Sequence, residues 1–278
     1  MLSTIRQAKT DEPPSGYVHV HQEPSCRAPL ASMLPASVSA VLRECRVLFK
    51  GVRSVGPDPR ELTSLLTLFE SLHREHFRFE RVLERAQTDA SAIRYVHVHQ
   101  EPSFSAGVFV LPPGATIPLH DHPEMAVFSR LLHGSLKSVS YDLVPPRDLA
   151  EGAGELLRAH RCVLASTAAA DGGGDGGADW VSSDAPCTLT LGPVLGNLHE
   201  FVAGPAGCVI FDVLAPPYSP ATGRDCTYYR YRCLQSAPAE LRELAAVHGA
   251  LLLEAFEPPE HEFCVIGDCD DDDTASRM

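Results

Sequence analysis

From about residue 93 to residue 235 the chain is a succession of short segments rich in β-branched and aromatic residues, each broken by glycine or proline. Examples are FSAGVFVLPPG, MAVFSRLLHGSLKSVSYDLV and CVIFDVLAP. Frequent interruptions of this kind are incompatible with long helices, whereas short strands separated by turns build two-sheet sandwiches and barrels. The pattern therefore predicts a mainly β domain.

Helical patterns precede this β region. Apolar residues recur at helical spacing in residues 34–50 and again in residues 59–87. We expect residues 33–92 to form a helical segment that packs on the β domain. The β domain itself, with a last strand near its end, is expected to span residues 93–265.

Three stretches have compositions that do not favour a packed core. Residues 1–32 are polar and rich in proline, which predicts a disordered leader. Residues 148–186 contain the Gly/Asp tract DGGGDGGADW, which predicts a flexible insertion in the β domain. Residues 266–278 carry a run of aspartates, which predicts an acidic disordered tail.

The composition excludes several classes of function. The chain has 23 Lys and Arg against 36 Asp and Glu, and this net charge of −13 opposes binding to nucleic acid or to an anionic membrane surface. No apolar run reaches the length of about 18 residues that a membrane span needs, and the first residues lack the apolar stretch of a secretory signal. Nine cysteines include no CxxC pair. We therefore expect reduced thiols and a cytoplasmic location. We also expect the nucleus as a second location, and a monomer.

Three HxH pairs carry the clearest chemical signal: His19 and His21, His97 and His99, and His120 and His122. Residues i and i+2 of a strand point to the same face, so an HxH pair can offer two imidazoles to one metal ion. The last pair has supporting context, because Gly114 precedes it in the order G-x5-H-x-H and Gly134 closes the next segment. This arrangement resembles the first motif of the cupins, which are double-sheet barrels.

The other two HxH pairs belong to a repeated segment, YVHVHQEPS, at residues 17–25 and 95–103. The residues around the two copies do not match, so the repeat does not indicate a solenoid. We assign no function to the first copy. The second copy is predicted to be the first strand of the barrel, where packing is the favoured role of His97 and His99.

A second cupin motif should supply a third histidine after a glycine turn. GNLHEFVA places His199 three residues after Gly196. The glutamate that cupins commonly carry after the second histidine is missing, and we expect Glu124 not to bind the metal. Three neutral imidazoles suit Fe, Zn, Cu or Ni, and such an open, electropositive site favours an anionic substrate such as a thiolate.

Ordered blocks of the sequence resemble the thiol dioxygenases that include 2-aminoethanethiol (cysteamine) dioxygenase and the plant cysteine oxidases. The blocks are IPLHDHPEM, VFSRLLHGSLKSVSYD, GNLHEF, FDVLAPPYSP and GRDCTYYR. The resemblance implies a cupin (double-stranded β-helix, jelly-roll) barrel and a non-haem Fe(II) ion held by His120, His122 and His199. It also implies that O2 converts a thiol to a sulfinic acid. The substrate would be cysteamine or the N-terminal cysteine of proteins, the latter in oxygen sensing.

The same resemblance implies roles for four further residues. Asp212 and Tyr218 would lie near the substrate pocket, where the carboxylate could pair with a substrate amine or orient a histidine ligand. The Tyr218 hydroxyl could hydrogen-bond to the bound thiolate or oxygen. Cys226 and Tyr228 form a Cys-x-Tyr pair on an expected strand, and they would either be cross-linked through a thioether or packed without modification.

Two other functions are compatible with these residues. A zinc or nickel cupin would use the three imidazoles for hydrolysis or isomerisation without O2. A non-catalytic cupin would keep the metal as a structural ion in a binding module.

Overall fold

The structure is a computed structural model, and it describes residues 34–51, 60–77, 93–167, 179–183, 188–257 and 263–266. We number four helices in these residues: α1 Ala36–Leu48, α2 Leu62–Glu70, α3 Ala153–Ala159 and α4 Ala239–His248. The strands of the first half are β1 Ile93–Glu101, β2 Phe104–Leu111, β3 Thr116–Asp121, β4 Ala126–Leu143, β5 Cys162–Thr167 and β6 Asp179–Ser182. The others are β7 Thr188–Leu191, β8 Leu198–Ala215, β9 Tyr228–Tyr231, β10 Leu251–Phe256 and β11 Phe263–Ile266.

The described strands form one sheet in the order β11-β1-β2-β8-β3-β9-β10-β5-β4-β6, and β7 pairs with β4. The pairing of β8 with β4 closes this path into a barrel. All strand pairs are antiparallel except β1 and β11. This mainly β cupin barrel with N-terminal helices confirms the fold class expected from the sequence.

Strands β4 and β8 give the barrel its shape. Each is 18 residues long, and each bends sharply at a glycine near its middle. Gly134 and Gly207 have φ angles of 76° and 72°, and a Cβ atom on Gly134 would lie 2.0 Å from the Gly207 carbonyl oxygen. Only glycine fits such a crossing without strain. The two halves of each strand therefore belong to opposite walls of the barrel, which meet at these glycines.

Helices α1 and α2 pack on the outer face of β2, β4 and β8. Phe69 of α2 is fully buried, and its ring centroid lies 5.9 Å from that of Phe128 and 5.7 Å from that of Phe211. Helix α1 adds Val41 and Cys45 to the same cluster. Helix α2 ends at Glu70, earlier than the sequence pattern predicts, and residues 78–92 lie outside the described part of the chain.

The stretch 148–186 differs from the expected flexible insertion. It contains α3, β5 and β6, and β5 pairs with both β4 and β10. Leu157 and Leu164 are buried there in a cluster shared with Leu241 of α4. These apolar side chains can pack, whereas the Gly/Asp tract between β5 and β6 falls almost wholly outside the described residues.

The expected leader and tail also lie outside the described residues, apart from Ile266 at the end of β11. No helix in the described part of the chain combines the length and apolarity that crossing a membrane would need.

Candidate metal centre

Strands β3 and β8 bring three histidines together inside the barrel. His120 pairs with His199 across the two strands, and His122 follows two residues after His120 on the same side. The three Nε2 atoms lie 3.0–3.1 Å from one another. All three side chains are buried, and they form a group that could hold a metal ion. The sequence predicted this trio.

Hydrogen bonds fix which ring nitrogen of two histidines carries the proton. The Nδ1–H group of His120 donates to the Pro118 carbonyl oxygen at 2.7 Å. The Nδ1–H group of His122 donates to the Tyr218 hydroxyl at 2.8 Å, and that hydroxyl donates to the Asp121 carbonyl oxygen at 2.7 Å. Because Nδ1 holds the proton in both rings, the Nε2 lone pairs point to the common centre.

Burial keeps the three imidazoles neutral. Desolvation lowers the pKa of His120 to about 4, and the Pro118 carbonyl only partly opposes this shift. Desolvation also lowers the pKa of His122 and of His199 well below the ordinary range, and the neighbouring imidazoles lower both further. Neutral imidazole is the form that binds metal ions, so the site needs no deprotonation at neutral pH.

The spacing of the nitrogen atoms fits a divalent transition metal. Imidazole nitrogen commonly binds such ions at roughly 2.1 Å. Three nitrogen atoms 3.0–3.1 Å apart at that distance are separated by roughly 90–95° around the ion. That is the spacing of one face of an octahedron, and it would leave the opposite face open to other ligands.

No carboxylate completes this donor set among the described residues. Glu124 is exposed in the turn after His122, where its φ angle is 58°, and it is not part of the group. That Glu124 does not bind the metal stays a prediction. A bound divalent ion would therefore keep its positive charge, which favours an anionic ligand such as a thiolate.

Two residues that the sequence analysis missed hold the backbone around the ligands. The Asn197 side chain accepts a hydrogen bond from the His122 amide at 3.2 Å and donates one to the His122 carbonyl oxygen at 2.7 Å. The Asp121 carboxylate accepts bonds from the Thr227 amide at 2.8 Å and the Tyr229 hydroxyl at 3.1 Å. Asn197 sits between Gly196 and the ligand-bearing strand, which is the one local signal that could have found it.

The register of β8 places Asp212 at the depth of the histidines. Before the bend at residues 204–207, the side chains that face the barrel interior are His199, Phe201 and Ala203 in order of depth. After the bend they are Cys208, Ile210 and Asp212, because alternate residues of a strand share a face. Counted away from the bend, His199 is the third inward-facing residue on one side and Asp212 is the third on the other. The two residues therefore lie at the same depth on opposite walls of the barrel.

The Asp212 carboxyl group is buried, and its Oδ1 atom has no hydrogen-bond partner among the described residues. Desolvation raises the pKa of this carboxyl to about 7, although the Ser129 hydroxyl favours the ionised form. Among the described residues, Asp212 is not a hydrogen-bond partner of the rings of His120, His122 and His199, whose partners are Pro118, Tyr218 and one another. Tyr218 orients the His122 ring, and both roles expected for Asp212 stay predictions.

Cys226 and Tyr228 lie beside the centre, but only Tyr228 lies in a strand. The expected shared strand is wrong, since β9 begins at Tyr228 and Cys226 precedes it in a loop. The Tyr228 ring centroid lies 5.7 Å from that of His120. Burial raises the pKa of the Cys226 thiol to about 12, and the hydroxyls of Tyr218 and Tyr228 both interact with that thiol.

The remaining histidines of the sequence motifs are elsewhere. His99 pairs with Glu101 at 2.8 Å and lies 3.3 Å from the Arg46 guanidinium, so it links β1 to α1. His97 faces the barrel interior beside Tyr95, 6.3 Å away between ring centroids, but it is outside the metal-binding group.

Replacing Tyr218 with phenylalanine is expected to weaken metal binding about tenfold, because the His122 ring loses the partner that fixes its proton and orientation. Equilibrium dialysis of metal-free protein against iron(II) measures the affinity. Tyr141→Phe is the matched control, since the Tyr141 hydroxyl pairs with Tyr231 at 2.9 Å on the outside of the barrel. Equal iron affinity in Tyr218→Phe and the wild type would contradict the role of Tyr218.

The PCO_ADO family model matches residues 66–268 of the chain. Plant cysteine oxidase 1 of Arabidopsis thaliana is 30% identical over 244 residues, which cover 82% of this chain and 69% of that protein. Plant cysteine oxidase 2 of the same plant is 40% identical over 141 residues, which cover 49% of this chain and 44% of that protein. The 2-aminoethanethiol dioxygenase of Homo sapiens is 32% identical over 189 residues, which cover 62% of this chain and 66% of that protein.

Solved structures with low sequence identity also match. An RmlC-like cupin from Shewanella frigidimarina is 12% identical, and the match covers 49% of this chain and 86% of that chain with a TM-score of 0.30. KdgF from Halomonas sp. is also 12% identical, and the match covers 46% of this chain and 81% of that chain with a TM-score of 0.29.

Proposed function

The chain belongs to the PCO_ADO family, and from this premise we propose that it is an iron(II)-dependent thiol dioxygenase that oxidises a thiol to a sulfinic acid with O2. The family match bears out the resemblance drawn from the sequence blocks. The single observation that carries the proposal is the convergence of three buried, neutral imidazoles with no carboxylate in the group. Three neutral ligands would leave coordination positions open for a thiolate and O2, and they would leave the positive charge of the ion uncompensated, which favours the thiolate.

His120, His122 and His199 would hold the ion through their Nε2 atoms. An iron(II) ion there would supply the electron-transfer chemistry that O2 needs to react with a thiol. The Pro118 carbonyl and the Tyr218 hydroxyl keep the Nδ1 protons in place, so two rings cannot turn away from the centre. The thiol sulfur gives four electrons, O2 accepts them, and both oxygen atoms end on sulfur.

The barrel wall supports a substrate with an amine near its thiol. Asp212 offers a buried carboxyl oxygen without a partner among the described residues, at the depth of His199. A buried carboxylate gains most from a cationic donor. Cysteamine and an N-terminal cysteine both carry a thiol and an amine two carbons apart, and the named relatives fit these substrates.

The five described cysteines whose side chains the structure gives, among them Cys226, are all free thiols, which suits a reducing compartment. We place the protein in the cytoplasm, with the nucleus as a second location, as a monomer. Oxidation of N-terminal cysteines in these compartments would make protein turnover respond to oxygen.

The test is turnover by protein loaded with iron(II) without oxygen. A Cys-initiated peptide or cysteamine is then added with O2, and the product should gain the mass of two oxygen atoms, about 32 Da. A peptide that begins with serine is the control. Turnover that consumes no O2 would support a cupin that catalyses hydrolysis or isomerisation instead. Turnover by the zinc-loaded protein but not by the iron-loaded protein would support the same alternative. Absence of product from both thiols would overturn the proposal.

A further inference from the structure

The loop of residues 216–227 joins β8 to β9 and passes beside the metal centre. Near its start, the Tyr218 ring stacks on that of His122, with the ring centroids 5.3 Å apart and the ring planes inclined by 27°. Near its end, the Cys226 thiol interacts with the hydroxyls of Tyr218 and Tyr228. The position of this loop therefore decides which side chains stand beside the histidines.

Both ends of the loop are bonded to one residue of β3. At the first end, the Tyr218 hydroxyl donates to the Asp121 carbonyl oxygen at 2.7 Å. At the last end, the Thr227 amide donates to Oδ1 of Asp121 at 2.8 Å, and the Asp121 amide donates to the Thr227 carbonyl oxygen at 3.1 Å. Between these ends the loop closes on itself, because the backbones of Ser219 and Arg224 bond to each other at 2.7 Å and 3.1 Å.

The Asp121 carboxylate takes over where the strand ladder stops. Strands β3 and β9 share one residue pair, and β3 ends one residue later, at Asp121. The Thr227 amide therefore bonds to a carboxylate oxygen instead of a backbone carbonyl, and the other oxygen accepts from the Tyr229 hydroxyl at 3.1 Å. Asp121 is 7% exposed, so these protein donors satisfy a carboxylate that water reaches little. Hydrogen bonds to a charged acceptor are stronger than neutral ones.

This carboxylate is separate from the metal ligands. Asp121 lies between His120 and His122 in β3, and neighbouring residues of a strand face opposite sides. It is not part of the metal-binding group. Replacing Asp121 therefore removes no donor from the metal.

We propose that Asp121 is a positioning residue, whose carboxylate fastens the end of the 216–227 loop to β3 and so holds Cys226 beside the three histidines. The inference rests on the proposed function for its effect on turnover, because the loop borders the site assigned to the reaction. The attachment of the loop itself does not depend on that function.

The experiment compares two variants that lose the same charge. Asp121→Ala removes both acceptor oxygens. Asp121→Asn keeps an oxygen for the Thr227 amide, and its own amide can donate to the Tyr229 hydroxyl oxygen. The Asp121 charge raises the pKa of the Cys226 thiol, and both variants remove this effect equally, so the ratio of their rates reports the attachment alone.

The measured quantity is the rate at which iodoacetamide labels Cys226 in metal-free protein, determined by mass spectrometry relative to the exposed Cys233. We expect Asp121→Ala to react about tenfold faster than Asp121→Asn or more, because a hydrogen bond to a charged group is worth at least that factor. Equal rates in the two variants would overturn the inference.

The buried Cys208 reports on the barrel in the same samples. If Cys208 stays unlabelled in Asp121→Ala, the faster reaction of Cys226 belongs to the loop. If Cys208 becomes labelled, Tyr229→Phe decides, since it removes one bond to the carboxylate and leaves the charge in place. It should label Cys226 about threefold faster than the wild type does. An unchanged rate in Tyr229→Phe would then overturn the inference.

The iron-loaded enzyme gives a second readout. Asp121→Ala should lower kcat/KM about tenfold or more, and Asp121→Asn should recover most of this loss. Equal losses in the two variants would count against the inference. If the wild type makes no sulfinic acid, the proposed function fails, whereas the labelling rates of the metal-free variants still decide the role of Asp121.

Discussion

Replacing His199 with alanine is expected to lower iron(II) affinity more than about 100-fold and to abolish thiol oxidation. Loss of a residue that only supports a metal ligand commonly costs 10- to 100-fold in affinity or activity, and loss of a ligand itself should cost more. The Nε2 atom of His199 lies 3.0 Å from that of His122 and 3.1 Å from that of His120, so no other described donor can take its position. Equilibrium dialysis with iron(II) and the mass of the peptide product measure the two losses.

The control for His199→Ala is His133→Ala. His133 lies on β4 near Arg74, outside the metal-binding group, so its replacement removes an imidazole without touching the centre. It should bind iron and turn over substrate as the wild type does. Thermal unfolding of the metal-free variants separates loss of metal from loss of fold. If His199→Ala keeps its iron and its activity, the assignment of the centre is wrong.

Replacing Phe69 with alanine is expected to lower the free energy of unfolding by about 3–5 kcal/mol, the range for a large buried aromatic side chain. Phe69 is fully buried, and its ring contacts those of Phe128 and Phe211 on the outer wall of the barrel. Phe69 is one of the two buried residues of α2, with Leu65, and loss of its ring would leave a cavity against the strands, which adds to the cost of the substitution. Denaturation by urea measures the change.

Val47→Ala on α1 is the matched control, because Val47 is 70% exposed. Exposed substitutions of this kind usually change stability by less than about 0.5 kcal/mol. A loss for Phe69→Ala no larger than that of the control would mean that the helices contribute little to the barrel. The expected difference would show that the N-terminal helical segment and the barrel share one core.

The metal ligands could be predicted from the sequence because the signal is local. Two histidines at positions i and i+2 of a strand must share a face, and the glycines around them mark the turns that position the strands. Gly114, Gly134 and Gly196 all have positive φ angles in the structure, as turn glycines should. The third histidine could be found for the same reason, since it follows such a turn.

The residues around the ligands could not be predicted with the same detail, because their contacts join distant parts of the chain. Tyr218 was expected near the substrate, but its hydroxyl is bonded to His122, 96 residues away in sequence. Asn197 contacts a backbone 75 residues away, and the turn at Gly196 beside it marks its position but not this partner.

The stretch 148–186 shows how composition can mislead. Its Gly/Asp tract lacks the apolar side chains of a core, and this composition predicts flexibility for the whole stretch. The residues on either side include Leu157 and Leu164, which are buried against α4. The composition of a 39-residue stretch does not reveal apolar patches as short as these. The pairing of β5 with β4 and β10 nevertheless depends on them.

The most direct test of the central claim is a turnover of iron(II)-loaded protein under ¹⁸O2 with a Cys-initiated peptide. The account predicts a sulfinic acid product that carries both labelled oxygen atoms, a mass gain of about 36 Da, and no product from His199→Ala under the same conditions. A product in which one oxygen comes from water, or equal turnover after zinc replaces iron, would contradict it.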